Sequence, residues 1–297
     1  MKRAVRRLPA CLPVAVVLAW PAPAAAHLRT GTIAVDVAAR VTSADAAFRA
    51  RVYLSDRALH VAVRPGHTLV LLGYLGEPFA RIGPAGVSVD RGSATAQAVD
   101  AVSSRRSLTW HDDRLKSLSP GRRPVPWSIP VIADGRRASI AGVVWRPRRP
   151  PWWPWTVVAL LAAALGAGRR FGALGVASVA AALCAEAGLA LGAYASAGTW
   201  IATLDETAFA LAGLWLLVRG PRPLRLAAAG GLGLLGLAVG LSQLPVFLHP
   251  IVLSALPAGV ARGLVAIAVG AGVAAAAGAG TTWAGQHAPP GPRSGAP

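Results

Sequence analysis

Cysteine is scarce in this chain, which has two cysteines among 297 residues. Cys11 lies near the amino terminus and Cys184 lies in a long apolar stretch, so residues 27–150 contain no cysteine. This absence excludes a disulfide-stapled scaffold for that region. Acidic residues are also few, 12 against 30 Lys and Arg, and only three of them follow residue 150. The carboxyl-terminal half is therefore almost free of negative charge.

Short motifs of common catalytic chemistry are absent as well. The sequence contains no glycine-rich phosphate loop, no GxSxG, no HExxH and no CxxC, so we predict that the protein is not an enzyme. The net charge of +18 comes mainly from arginines that are spread along the chain without a nucleic-acid fold motif. Nucleic acid is therefore not an expected partner.

The first 26 residues have the pattern of a secretory signal peptide. A basic start at residues 2–7 precedes an apolar stretch at 12–20 and the small residues Ala24-Ala25-Ala26. Cleavage after Ala26 would make His27 the mature amino terminus and place residues 27–150 outside the cytoplasm. The alternative is an uncleaved anchor.

Residues 27–150 predict an all-β domain. Short runs of alternating apolar and polar residues, such as "TIAVDVAARV", "LHVAVRP" and "ASIAGVVW", are separated by Gly, Pro, Asp and Ser. About seven such strands favour an antiparallel, immunoglobulin-like sandwich. Asp134-Gly135 predicts a tight hairpin turn between two of the strands.

Residues 151–285 predict an all-α membrane domain. Apolar runs at 154–168, 171–195, 199–218, 224–242 and 261–283 are near the length that crosses a bilayer. A weaker run at 246–260 is broken by Pro250 and Pro257, and we favour a re-entrant or outer loop there. These runs give five or six membrane helices in a multi-pass protein of the cell membrane, followed by a disordered tail at 286–297. The preceding "WRPRRPPWWPW" is typical of an interfacial belt at the lipid surface.

A first candidate site lies in the outer domain. "TWHDDR" places His111 and Asp113 two residues apart, on one face if the segment is a strand. A metal site with these two residues needs further ligands, for which His27, His60 and His67 are the candidates. The structural alternative is a turn in which the Asp side chains bond the local backbone.

A second candidate site lies in the membrane domain. Glu186, Asp205 and Glu206 are the only acids after residue 150, and helix geometry predicts them at matching depth below the outer surface. Acids in a bilayer usually face a bundle interior and mark ion paths or proton relays, so we predict a cation or proton site, with His249 as a further member. Alternatively, these acids lie in the headgroup zone and cap helices or pair with arginines.

The stretches "LGYLGEPFARIGPAGVSVD" and "TWHDDR" resemble those of an uncharacterised family of bacterial membrane proteins with a signal peptide, a β-rich outer domain and carboxyl-terminal helices. The family pattern Trp-His-Asp-His-Arg followed by a further His is kept here at Trp110, His111, Asp112 and Arg114. Asp113 and Lys116 stand where the other histidines would fall. The architecture is more distantly similar to copper-resistance proteins of the CopC and CopD kind, whose secreted sandwich begins at a histidine.

We therefore expect a membrane protein that handles a metal cation such as copper, or that couples cations or protons through its acids. The resemblance implies copper as the metal, and no soluble cofactor is predicted. Besides the lipid bilayer, the candidate partners are a metal ion or an envelope protein. The alternative function is a non-catalytic envelope protein whose β-domain binds a partner and whose helices anchor it.

Overall fold

The computed structural model describes residues 32–99, 101–165, 171–192 and 197–287. A β-rich antiparallel region comes first along the chain and is followed by apolar helices, as the sequence predicts. The predicted signal peptide, His27 and the predicted tail beyond residue 287 lie outside the described residues.

Two antiparallel sheets and the short strand β1 (Ala34–Val35), which belongs to neither of them, form the first region, which we call the β-domain. The strands are β1 Ala34–Val35, β2 Ala38–Val41, β3 Phe48–Tyr53, β4 Ala58–Val63, β5 Leu69–Leu72, β6 Pro78–Gly83, β7 Gly86–Val89, β8 Ala101–Ser104, β9 Ser107–Trp110, β10 Val125–Ala133 and β11 Arg136–Trp145. The larger sheet has the order β2-β11-β10-β5-β6-β7 and the smaller β3-β4-β9-β8. Short helices α1 (Ala94–Ala98) and α2 (Asp113–Lys116) lie between strands. The immunoglobulin-like topology stays a prediction.

The two sheets share one hydrophobic core. Alternation along β10 turns Trp127, Ile129 and Val131 inward and leaves Ser128 and Pro130 exposed. The side chains of Phe79 in the larger sheet and Trp110 in the smaller sheet are completely buried and meet edge to face, with ring centroids 5.7 Å apart. Burying a side chain of this size contributes about 1.5–3 kcal/mol, so such contacts hold the sheets together.

The predicted hairpin turn at Asp134-Gly135 is confirmed. Both residues have positive φ, 48° and 79°, and join β10 to β11.

Three strands were not among the predicted runs, namely β6, β8 and β9. All four residues of β8 are exposed, and β6 begins at a proline. Neither strand therefore shows a clear alternation of buried and exposed residues.

The helices that follow are α3 Trp153–Ala164, α4 Phe171–Gly192, α5 Ala197–Arg219, α6 Arg222–Ser242, α7 Pro245–Leu248 and α8 Ala258–His287. Among the described residues, three segments are long and apolar enough to cross a membrane: Phe171–Gly192, Arg222–Leu248 and Ala258–Ala284. The expectation of five or six spans is therefore wrong by this criterion. Helix α3 has 12 residues and rises only about 18 Å, short of a hydrocarbon core of about 30 Å. Helix α5 contains Asp205 and Glu206 in its amino-terminal half.

The proline-broken run at 246–260 does not form a helix that spans the membrane. It contains the short α7 and the two-residue strand β12 (Ile251–Val252), which pairs with β1 of the β-domain. Arg262 of α8 holds this segment in place, because its buried guanidinium donates to the carbonyl oxygens of Val246, His249 and Pro250 at 2.8–3.1 Å. The segment therefore joins the helical module to the β-domain.

Candidate functional site

Two of the four intramembrane candidates come together between α4 and α5. The carboxyl groups of Glu186 and Glu206 lie within hydrogen-bonding reach of each other. An ionised carboxylate has no proton to donate, so a bond between two carboxyl groups requires that one of them is protonated. We call these two residues the carboxyl pair.

One oxygen of each carboxyl group, the Oε2 atom, is buried. The Oε2 atom of Glu186 and the Oε2 atom of Glu206 have no hydrogen-bond partner in the described part of the chain. Buried acceptors without partners are uncommon in folded proteins and call for an explanation. The carboxyl pair therefore has capacity to hold a further proton or a small cation.

The segment between α7 and α8 lies over the helix end near the carboxyl pair. Glu186 is six residues before Gly192, the last described residue of α4, a rise of about 9 Å. Ala185 packs with Val246 and Val265, and the amide of Ala255 donates to the carbonyl of Gly188 at 2.8 Å. The carboxyl pair therefore lies just beneath the junction with the β-domain.

The other two intramembrane candidates are not members of the carboxyl pair. Asp205 is exposed on α5, whereas the neighbouring Glu206 is partly buried, as expected for adjacent helical residues that point about 100° apart. His249 does not complete the acidic cluster. Its Nδ1 atom is 3.0 Å from Oδ1 of Asp36, so His249 links the helical module to the β-domain.

Asp36 is the centre of this junction. The hydrogen bond from His249 lowers the pKa of Asp36 below its ordinary value, and the positive charges of Arg149 and Arg146 act in the same direction. The Nη2 atom of Arg149 is 3.6 Å from Oδ2 of Asp36. Sequence reasoning did not single out Asp36, because nothing local indicates a partner 213 residues away.

In the outer motif, the buried residue is Asp112 rather than either predicted ligand. The side chain of Asp112 is completely buried and caps α2 by accepting from the amide of Arg114. Arg114 Nε and Nη2 donate to its two oxygens at 2.9 and 2.8 Å, and Trp110 Nε1 donates at 3.0 Å. This set of partners supports the structural alternative for the motif.

The two predicted ligands of the motif do not form a metal group. His111 Nε2 lies 3.1 Å from Oδ2 of Asp56, and Asp113 is exposed. His60 Nδ1 is 2.8 Å from the Thr109 hydroxyl, and burial lowers its pKa. His67 pairs with Asp134 at 2.7 Å. The described ranges contain no group of three His, Cys, Asp or Glu side chains that could hold a metal ion.

The stretch "LGYLGEPFARIGPAGVSVD" and the motif "TWHDDR" meet in space. Arg114 Nη2 and Nη1 donate to the carbonyls of Leu72 and Gly73 at 3.2 and 3.4 Å, and its guanidinium lies 5.0 Å from the centre of the Tyr74 ring. The amide of Asp113 donates to the Tyr74 hydroxyl. A shallow cavity of about 290 Å³ lies here, lined by Tyr74, Asp113, Arg114 and Ser117. The guanidinium of Arg114 already donates to Asp112 and to two carbonyls. Its contact with Tyr74 therefore primarily joins the β5–β6 turn to α2.

Comparison of the chain with protein-family models, with curated proteins and with solved structures found no match. The functional argument therefore rests on the geometry of the carboxyl pair and of the junction.

Proposed function

We propose that this protein is a multi-pass membrane protein that binds and releases a proton or a small cation at the carboxyl pair. The observation that carries the proposal is that the carboxyl groups of Glu186 and Glu206 meet, with Oε2 atoms that are buried and accept from no donor among the described residues. Ionisable groups within membrane segments are costly and usually mark ion paths or proton relays.

The charge of the carboxyl pair depends on how many protons it holds. One shared proton joins the two carboxyl groups and leaves a single negative charge on the pair. Entry of a second proton neutralises that charge, whereas loss of the shared proton leaves two adjacent charges that repel each other. A small cation that displaces the shared proton would be held by carboxylate oxygens, which hard cations prefer.

Single Glu186→Gln and Glu206→Gln variants test the proposal, with Asp205→Asn as the matched control on an exposed neighbour. In purified protein reconstituted into liposomes, we expect the infrared band of a protonated carboxyl group and the uptake of protons or cations to be lost in both Gln variants. The control should retain both signals. Unchanged uptake and an unchanged infrared band in all three variants would contradict the proposal and favour a helical module that serves only as an anchor.

We further infer that the β-domain is extracytoplasmic, on the basis of the signal pattern in residues 1–26. A cysteine introduced at the exposed Ser104, in a Cys184→Ala background, should react in intact cells with a thiol reagent that cannot cross membranes. Protection of that cysteine until the cells are lysed would place the domain in the cytoplasm. The proposal for the carboxyl pair does not depend on this result.

A further inference from the structure

Exposed arginines and tryptophans gather where the β-domain meets the helices. We call this region the arginine–tryptophan surface, and it consists of Arg122, Arg146, Arg148, Arg149, Trp152 and Trp153. All six residues are exposed; the two tryptophans are 66% and 61% accessible. Large aromatic side chains are rarely so exposed unless another surface or a lipid covers them.

Backbone and electrostatic contacts bring the arginines to one place. The amide of Arg146 donates to the carbonyl of Gly121 at 2.8 Å, which sets the Arg122 loop beside the end of β11. Arg146 and Arg149 both act electrostatically on Asp36. Asp36 is the only carboxylate within 4 Å of these four guanidinium groups in the described part of the chain. Positive charge is therefore in excess here.

The position of the surface fits a membrane boundary. Trp145, at the end of β11, pairs with Ala38 of β2, and Asp36 is bonded to His249 of the helical module. Helix α3 begins at Trp153 and exposes Leu160 and Leu161, and Leu165 just after it is exposed as well. The arginines thus lie at the polar end of an apolar helix face, and tryptophan beside such a face is typical of the headgroup level.

Charge complementarity identifies the occupant. Guanidinium groups donate paired hydrogen bonds that match phosphate geometry, and basic residues next to membrane helices attract anionic lipids. We propose that the arginine–tryptophan surface binds the phosphate headgroups of anionic phospholipids and thereby holds the base of the β-domain against the bilayer.

The hairpin that carries this surface also supplies its own control. Arg136 and Arg137 are exposed at the opposite end of β11, next to Asp134. Ten residues of strand separate the two ends by about 30 Å. Removing either arginine pair changes the net charge equally, but only Arg146 and Arg148 belong to the proposed lipid surface.

The experiment compares the unsubstituted full chain with two double variants, Arg146→Gln/Arg148→Gln and Arg136→Gln/Arg137→Gln. All three proteins are placed in nanodiscs that contain equal amounts of phosphatidylglycerol and phosphatidylcholine. Native mass spectrometry measures the ratio of the two lipids that remain bound. We expect the full chain to retain phosphatidylglycerol preferentially. The preference should fall at least about five-fold in Arg146→Gln/Arg148→Gln, since each arginine near a charged surface contributes about a five-fold effect, and should persist in the control pair.

Several results would overturn the inference. These are the absence of any lipid preference in the full chain, an equal loss in the two double variants, and displacement of the bound lipid by an equal concentration of inorganic phosphate. Loss of the preference at about 1 M salt in the full chain would support it, because salt at that concentration screens charges beyond about 3 Å. Matching thermal unfolding of the three proteins would show that the variants retain the fold.

Discussion

The β-domain and the helical module differ in how many hydrogen-bond partners they provide for their buried carboxyl groups. In the β-domain, Asp112 is completely buried and accepts from Trp110, from the guanidinium of Arg114 and from a backbone amide. In the helical module, Glu186 and Glu206 lie within hydrogen-bonding reach of each other, and the Oε2 atom of each is buried and accepts from no donor in the described residues. A fully partnered carboxylate stabilises a fold, whereas a partly partnered pair has remaining capacity to bind.

The two regions also differ in packing. The β-domain fills its core with large side chains such as Phe79, Leu71 and Trp110. The helical module brings backbones together through small residues, as where Gly236 of α6 lies against Ser178 of α4. Small residues at helix contacts are typical of membrane bundles, because there the helices gain little from excluding water.

The largest effect that we predict is in the β-domain. Asp112→Ala should lower the free energy of unfolding of this domain by about 3 kcal/mol, because it leaves the guanidinium of Arg114 and the indole N–H of Trp110 without their acceptor. Chemical denaturation followed by tryptophan fluorescence measures it. The matched control is Asp113→Ala at the adjacent exposed position, where we expect a change within about 0.5 kcal/mol. Equal losses in the two variants would show that Asp112 is not the stabilising residue.

A smaller effect should separate two glycines of α6. A Cβ on Gly236 would lie 2.3 Å from the Ser178 hydroxyl oxygen and 2.7 Å from its carbonyl carbon, whereas a Cβ on Gly231 would contact nothing within 4 Å. Gly236→Ala should therefore destabilise the helical module by about 1–3 kcal/mol, and Gly231→Ala should not. Thermal unfolding in detergent provides the measurement. Equal tolerance of both changes would mean that α4 and α6 do not pack as described.

The smallest effect concerns the junction between the two regions. Asp36→Ala should speed hydrogen exchange of the paired strands β1 and β12 at neutral pH, with a cost below about 1 kcal/mol because the contact is partly exposed. The pKa of Asp36 is lowered in the fold, so its contribution is complete above the ordinary value of 3.8 and is lost as the pH falls through the lowered pKa. Asp134→Ala, which removes an Asp–His pair at the far end of the β-domain, should leave β1 and β12 unchanged. If exchange is the same in all three proteins, Asp36 does not hold the junction.

Local patterns predicted most of the elements. Alternation located β3, β4, β10 and β11, and Asp134-Gly135 located the hairpin turn, because these signals depend on neighbouring residues. Apolar runs located helices α3, α4, α5, α6 and α8 but overestimated how many are long and apolar enough to span. The apolar run at 154–168, for example, became the 12-residue helix α3, which is too short to cross a bilayer.

Long-range contacts were beyond such patterns. The sequence indicated Glu186 and Glu206 as site candidates because acids are rare after residue 150, but it did not show which acid would pair with Glu186. His249 was assigned to the acids and instead bonds Asp36. His111 was assigned to a metal group with Asp113 and instead bonds Asp56. Whether side chains can share a metal ion depends on their positions in space, which spacing along a strand does not supply.

Composition and periodicity by themselves determined that a β-rich region precedes apolar helices, because strand and helix periods are properties of a few successive residues. Only the tertiary structure decided that Asp112 has a full set of donors while the carboxyl pair does not. It also decided that β1 pairs with β12 across more than 200 residues. The reason is that partners for a buried polar group come from whichever segments the fold brings within about 3 Å, and their separation along the chain does not limit that choice.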